Sequence, residues 1–261
     1  MSDDLDFNRF IENIKKKTAI DLSLYKEAQM KRRLTTLRLK HGYNTFSTYF
    51  EAITQNPSLM AEFLDRMTIN VSEFWRNPQR WDILMKTFLP EMIAASPSGR
   101  LKIWSAACST GEEPYTLAMI LDHLAVLSKT HLLATDLDQG VLAKANQGYY
   151  LDRSVRDVPA AFRKKYFKEE EGVYSVVDSL KRAVTFKQQN LLYDKFDSDF
   201  DLIVCRNVMI YFTEEAKHDL YHKFAKSLKK GGLLFVGSTE QIFSPSQYGF
   251  ETADTFFYRK L

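Results

Sequence analysis

Acids and small residues gather where a bound nucleoside would need them. Ser105-Ala106-Ala107-Cys108-Ser109-Thr110-Gly111 runs into the acidic pair Glu112-Glu113, and Asp136 follows 25 positions after Gly111. A carboxylate about 20 residues past the first strand-to-helix turn suits a ribose, because it accepts both hydroxyl protons. The G-x-G-x-x-G pattern is absent, and a pyrophosphate at the start of the next helix would meet two carboxylates, so NAD is a poor fit. A nucleoside without phosphates but with an ammonium group fits better. S-adenosylmethionine is such a ligand, with a ribose for Asp136 and an ammonium for Glu112 or Glu113. The same two acids also suit a helix N-terminus through its macrodipole, so spacing alone leaves their role open.

These residues need a scaffold, and the hydrophobic periodicity supplies one. Before residue 100 the pattern is helical, with Phe7, Phe10, Ile11 and Ile14, then Met30, Leu34 and Leu37, recurring at helical spacing. Asn77-Pro78 reads as an N-cap and first-turn proline opening a helix that carries Trp81, Leu84, Met85 and Phe88. From residue 101 strands alternate with helices. Strands are expected at Leu101–Trp104, His131–Thr135, Val184–Lys187, Phe200–Cys205, Leu233–Val236 and Phe256–Tyr258. Helices are expected over Glu112–Leu127, about Gln139–Asn146, and from Thr213 to a terminating Gly231-Gly232. Such alternation implies right-handed βαβ units and a mostly parallel sheet, whose ligand site lies beyond the carboxyl ends of the strands. Asn190-Leu191 and Arg206-Asn207 come directly after two of those strands and join the candidate site.

Composition excludes several classes. The 261 residues carry 36 Lys plus Arg against 33 Asp plus Glu, a net charge of +3, and no apolar run reaches the ~18 residues of a membrane span. The opening Met-Ser-Asp-Asp-Leu-Asp is acidic and polar, unlike a secretory leader, so the expected location is the cytoplasm. Cys108 and Cys205 are too few for a disulfide framework, and His218 and His222 lack an evident third ligand, so no metal is expected. The charge is uneven: residues 8–40 hold ten basic residues against three acidic ones. Lys31, Arg33 and Arg38 flank the apolar stripe of the second helix and make a surface suited to a polyanion.

Three segments carry a resemblance. Trp104-Ser-Ala-Ala-Cys-Ser-Thr-Gly-Glu-Glu-Pro-Tyr115, Ala134-Thr-Asp-Leu-Asp138 and Cys205-Arg-Asn-Val-Met-Ile-Tyr-Phe212 resemble the chemotaxis receptor methyltransferases, the CheR family. Thr68-Ile-Asn-Val-Ser-Glu-Phe-Trp-Arg76 is similar to the segment joining that family's two domains, and the match runs in order from about residue 8 to the end. The resemblance implies an all-helical N-terminal domain (1–70), then a doubly wound, Rossmann-like methyltransferase domain (71–261), with a linker at 68–76. A small β insertion is expected at about 169–187, of the kind that in the family can dock a receptor tail peptide.

Carried over by position, the resemblance implies cofactor contacts at Asn70, Ser72, Arg76, Glu113, Asp136, Asn190, Leu191, Arg206 and Asn207. It selects Glu113 for the methionyl ammonium. Arg76 and Tyr211 match residues bordering the methyl group and the incoming glutamate. Arg76 has two roles open to it, aiming the acceptor carboxylate or holding the cofactor's own. Where the family often has Phe-Phe-Arg, this chain has Phe74-Trp75-Arg76, which bears on packing beside the cofactor. The implied activity is methylation of glutamates on the cytoplasmic helices of membrane chemoreceptors, by a monomer that neither inserts into the membrane nor binds nucleic acid. A carboxylate acceptor is already ionised at neutral pH, so no catalytic base is required. The rivals are a nucleic-acid or small-molecule methyltransferase, supported by the basic N-terminal region, and a cofactor-binding regulatory module without turnover.

Overall fold

A computed structural model describes residues 3–68 and 72–261. The first four helices, α1 (Asp3–Thr18), α2 (Glu27–Lys40), α3 (Phe46–Gln55) and α4 (Pro57–Met67), form one unit. Its core is the stripe read from the periodicity, Phe7, Phe10, Ile14, Met30, Leu34 and Leu37, closed by Phe46, Tyr49, Ile53 and Phe63. Local chemistry sets the helix ends. Thr45 accepts a hydrogen bond from the Thr48 amide, and Asn56 accepts from Ser58 and Leu59 ahead of Pro57. The buried Asp6 carboxylate takes the Phe46 and Ser47 amides, tying α1 to α3 and holding its own pKa below the usual range.

The second unit runs through α5 (Pro78–Ile83), a π-helical turn (Leu84–Phe88), α6 (Leu89–Ala95), β1 (Leu101–Ala106), α7 (Glu112–His123), β2 (Thr130–Asp136) and α8 (Gln139–Gln147). It continues with β3 (Tyr149–Leu151), α9 (Asp152–Val155), α10 (Ala160–Tyr166), β4 (Phe167–Glu170), β5 (Val173–Val176), α11 (Asp178–Ala183) and β6 (Val184–Gln188). It ends with β7 (Phe200–Cys205), α12 (Glu214–Ser227), β8 (Leu228–Val236), β9 (Phe250–Asp254) and β10 (Phe257–Lys260). The seven-stranded sheet has the order β6-β2-β1-β7-β8-β10-β9. Pairing is parallel from β6 to β8 and antiparallel across β10 and β9. The order reverses between β1 and β7, so the crevice of a doubly wound sheet opens there. Apolar cores cover both sheet faces, which explains why β1 and β7 are almost entirely buried.

Several expectations shift. The helix opened by Pro78 contains a π-turn before Pro90, whose ring cannot pack against the carbonyl of Lys86 in a regular α-helix. Asn77 is left-handed, at φ 62°, and makes no side-chain cap. Helix α7 stops at His123, short of Leu127, with Ala125 at φ 58°. Helix α12 stops at Ser227, and Lys229 to Gly232 belong to β8. A Cβ on Gly232 would lie 2.9 Å from the Lys229 oxygen and 3.0 Å from the Phe200 oxygen, so this glycine serves strand packing instead of ending a helix. Edge strand β9 was not expected. The small antiparallel sheet, β3-β5-β4, occupies Tyr149 to Val176, earlier than 169–187, because Val184–Gln188 pairs with β2 in the main sheet.

Candidate functional site

A cleft opens over the carboxyl ends of β1, β2, β6 and β7, roofed by the helical unit. Ser72, Arg76, Glu113, Asp136, Asn190, Leu191, Arg206, Asn207 and Tyr211 all line it. Asn70 lies outside the described residues. Of the three basic residues assigned to the docking face, none lines this cleft.

The loop after β1 reaches the cleft through a run of left-handed residues, Ala107 at φ 60°, Ser109 at φ 49° and Gly111 at φ 96°. Such conformations cost energy in non-glycine residues and persist only when surroundings hold them. Here the Cys108 amide bonds the Thr135 carbonyl at 2.9 Å and the Ser109 amide bonds the Asp136 carboxylate at 2.8 Å. Gly111 has no substitute, since a Cβ there would sit 2.9 Å from the Ala145 Cβ.

The two adjacent acids separate. Glu112 is buried, accepts from the Thr110 hydroxyl at 2.7 Å and does not line the cleft. Glu113 does line it, accepts from the Ser105 hydroxyl at 2.8 Å and pairs with Arg206 at 3.7 Å. Burial pushes the Glu113 carboxyl up to about 7, against the pull of Arg206 and Ser105. The geometry therefore turns Glu113, and not Glu112, toward the cleft.

Asp136 closes β2, takes the Ser109 and Asp138 amides, and retains acceptor capacity on both oxygens. Burial raises its pKa, opposed by those same amides. Arg206 sits at the end of β7 between the Trp81 and Phe235 rings, 5.1 and 4.8 Å from their centroids. It donates to the Arg76 carbonyl at 2.8 Å and to the Asn77 side chain at 2.9 Å, so Asn77 anchors the joining segment instead of capping a helix. Among the described residues, buried Arg206 Nε and Gln189 Oε1 have no hydrogen-bond partner. A cleft lined by two carboxylates, Glu113 and Asp136, and by buried polar atoms without a protein partner fits S-adenosylmethionine. Trp75 does not line the cleft; it packs on Phe162, which removes the expected effect on packing beside the cofactor.

Sequence reasoning missed Glu240. Its buried carboxylate, four residues past β8, accepts from the amides of Asn207 (2.6 Å), Met209 (2.7 Å), Ile210 (3.3 Å) and Gly237 (2.9 Å). It thereby shapes the loop carrying Asn207 and Tyr211, with Asn207 left-handed at φ 62°. A Cβ on Gly237 would lie 2.4 Å from that carboxylate and 2.9 Å from the Asn207 amide nitrogen, so glycine suits this close approach. The rule that site residues stand just beyond strand ends, extended from the first four expected strands to the fifth, is the signal that reaches Glu240. Tyr25 lines the cleft from the helical unit, and no motif marks it.

The docking residues divide. Arg38 is a correction: it is buried, donates to the Tyr43 and Asn44 carbonyls and lies over the Phe46 ring, so it holds the α2–α3 turn and presents no charge to a partner. Lys31 pairs with Asp4 at 2.5 Å. Arg33 bonds the Met67 carbonyl at 3.1 Å and faces the Tyr211 ring at 5.4 Å. With Arg32, Lys40, Arg66 and Lys144, Arg33 lines a basic groove that shares Thr68 with the cleft.

Residues 70–257 match the family model described as CheR methyltransferase, SAM binding domain, and residues 5–68 match CheR methyltransferase, all-alpha domain. A chemotaxis protein methyltransferase of Listeria innocua is 43% identical over 98% of this chain and 97% of its own length. Another, from Borreliella burgdorferi, is 36% identical over 91% of this chain and 88% of its own.

Proposed function

Since the chain belongs to the CheR family of S-adenosylmethionine-dependent chemotaxis methyltransferases, we propose that its methyl acceptors are glutamate side chains on the cytoplasmic helices of membrane chemoreceptors. The observation that carries this reading is the basic groove opening directly beside a cleft that holds Glu113, Asp136 and Tyr211. A glutamate-rich helix laid in the groove is drawn by charge and brings a carboxylate to the cleft mouth.

Bound S-adenosylmethionine supplies a methyl group activated by its sulfonium centre. Asp136 takes the ribose hydroxyls and Glu113, in its ionised form, takes the ammonium. Arg76, whose charge acts on Glu113 and Arg206, stands at this amino-acid end and takes the cofactor carboxylate through its fork. Tyr211 walls the methyl group on the acceptor side. The acceptor arrives ionised, so these residues contribute position and electrostatics and remove no proton. The protein acts in the cytoplasm in this reading; among the described residues no helix is long and apolar enough to cross a membrane.

The test is incubation with methyl-labelled cofactor and receptor cytoplasmic fragments, followed by mild base. Glutamyl esters release labelled methanol. Label resistant to base, or carried by added nucleic acid, overturns the assignment in favour of the other methyltransferase reading, and cofactor binding without any transfer favours a regulatory module.

A further inference from the structure

The helical unit is joined to the catalytic unit by more than the linker. A short 3-10 turn, Leu22–Leu24, precedes Tyr25, and Asp21 caps it by accepting from the Ser23 amide at 3.0 Å. Leu22 is buried in the helical core and fixes this strap to its own unit. Tyr25 then forms an antiparallel bridge with Phe212. The Lys26 amide bonds the Tyr211 carbonyl and the Thr213 amide bonds the Leu24 carbonyl, both at 2.9 Å. The Tyr25 ring meets the Phe212 ring edge-on, with centroids 5.2 Å apart.

These contacts bring the Tyr25 side chain to the cleft, and Tyr25, Asn190 and Leu192 line both the cleft and an adjoining pocket. We propose that Tyr25 is a wall of the cofactor site at its adenosine end, so that the helical unit and the catalytic unit bind the cofactor together. The inference rests on the proposed role of Asp136 as the ribose partner. Burial, with the Asp136 charge adding to it, holds the Tyr25 phenol above its ordinary pKa, which places ring and carboxylate in one environment. An aromatic with an apolar face and a polar tip suits a flat heterocycle bound beside a polar sugar. A cofactor held by both units also holds the Leu24–Lys26 strap against the Tyr211–Thr213 segment.

The test titrates the full chain and its Tyr25→Phe and Tyr25→Leu variants by calorimetry, with S-adenosylmethionine and with 5′-methylthioadenosine, which has the adenosine end but no amino-acid end. Tyr25→Phe is expected within about twofold of the unaltered chain, and Tyr25→Leu about tenfold weaker for both ligands. Equal affinity of Tyr25→Leu and the unaltered chain for both ligands overturns the inference. Hydrogen exchange on the unaltered chain needs no variant to fold: either ligand should slow exchange at the Lys26 and Thr213 amides, and no change there counts against the wall. Asp136→Ala is the control. If it weakens neither ligand the ribose assignment fails; if it weakens both while Tyr25→Leu does not, only the Tyr25 inference fails.

Discussion

Charge is used in opposite ways in the two units. In and behind the cleft, Asp136, Arg206 and Glu240 are buried, and Asp136 and Glu240 each take two or more backbone amides. On α2, Arg32 and Lys40 are exposed, and Lys40 meets Glu62 at 2.7 Å on the surface. Charges of the first kind are fixed by the fold and give geometry. Charges of the second kind cost the fold little and remain available to a partner.

Replacing Glu240 by alanine should break this contrast most. It leaves four amides without their acceptor, three of them in the loop of Asn207 and Tyr211, and should cost about 3–5 kcal/mol of stability by denaturant unfolding. A loss below about 1 kcal/mol would mean that the loop holds its own shape. Asp136→Ala comes next, weakening cofactor binding by roughly 1.5–3 kcal/mol in calorimetry while leaving the fold cooperative.

Glu113 sharpens the comparison through pH. Its carboxyl is raised from the usual 4.5 to about 7 in the free protein, and the proposed pairing with the cofactor ammonium needs the ionised form. Affinity should therefore fall as pH drops below about 7 and level off above it. Stability of the free protein runs the other way: the raised group contributes below pH 4.5 and loses that contribution as pH rises through about 7. Melting curves with and without cofactor, from pH 5 to 8.5, should diverge as pH rises. Glu113→Gln should flatten the divergence, and a pH-independent affinity in the unaltered chain contradicts the ammonium assignment. The smallest effect on the fold is expected from Arg32→Glu with Lys40→Glu. Tm should move by under about 3 °C and cofactor affinity should hold, while receptor methylation slows and loses its salt sensitivity.

Much of the catalytic half was legible because parallel strands put their chemistry at one end. Asp136, Asn190 and Arg206 stand just beyond the ends of expected strands, and the structure gathers all three around one cleft. The resemblance supplied Ser72, Arg76 and Tyr211, which no spacing argument reaches. Arg38 was misread because a cation flanking an apolar stripe looks solvated; only the turn at Tyr43-Asn44 buries it, and that turn has no period. Asn77 reads as a cap by type and position, yet the arginine that claims its side chain is over a hundred residues away in sequence. Tyr25 sits in a strap whose bridge partner, Phe212, is still further away in sequence, a pairing invisible to local patterns.

The central position of β1 has a consequence for how the chain acquires its shape. Ile103 pairs with Leu202 across the switch point, about a hundred residues further on, whereas α1, α3 and α4 meet within the first 67 residues. Loop closure over such a span is slow relative to helix docking. During synthesis the helical unit can form while the cleft still lacks one wall, so the basic groove's α2 side exists before any cofactor site does. The Leu24–Thr213 and Lys26–Tyr211 bonds are then among the last to close, and a pulse-labelling experiment should find those two amides protected late, after the core of α1 to α4.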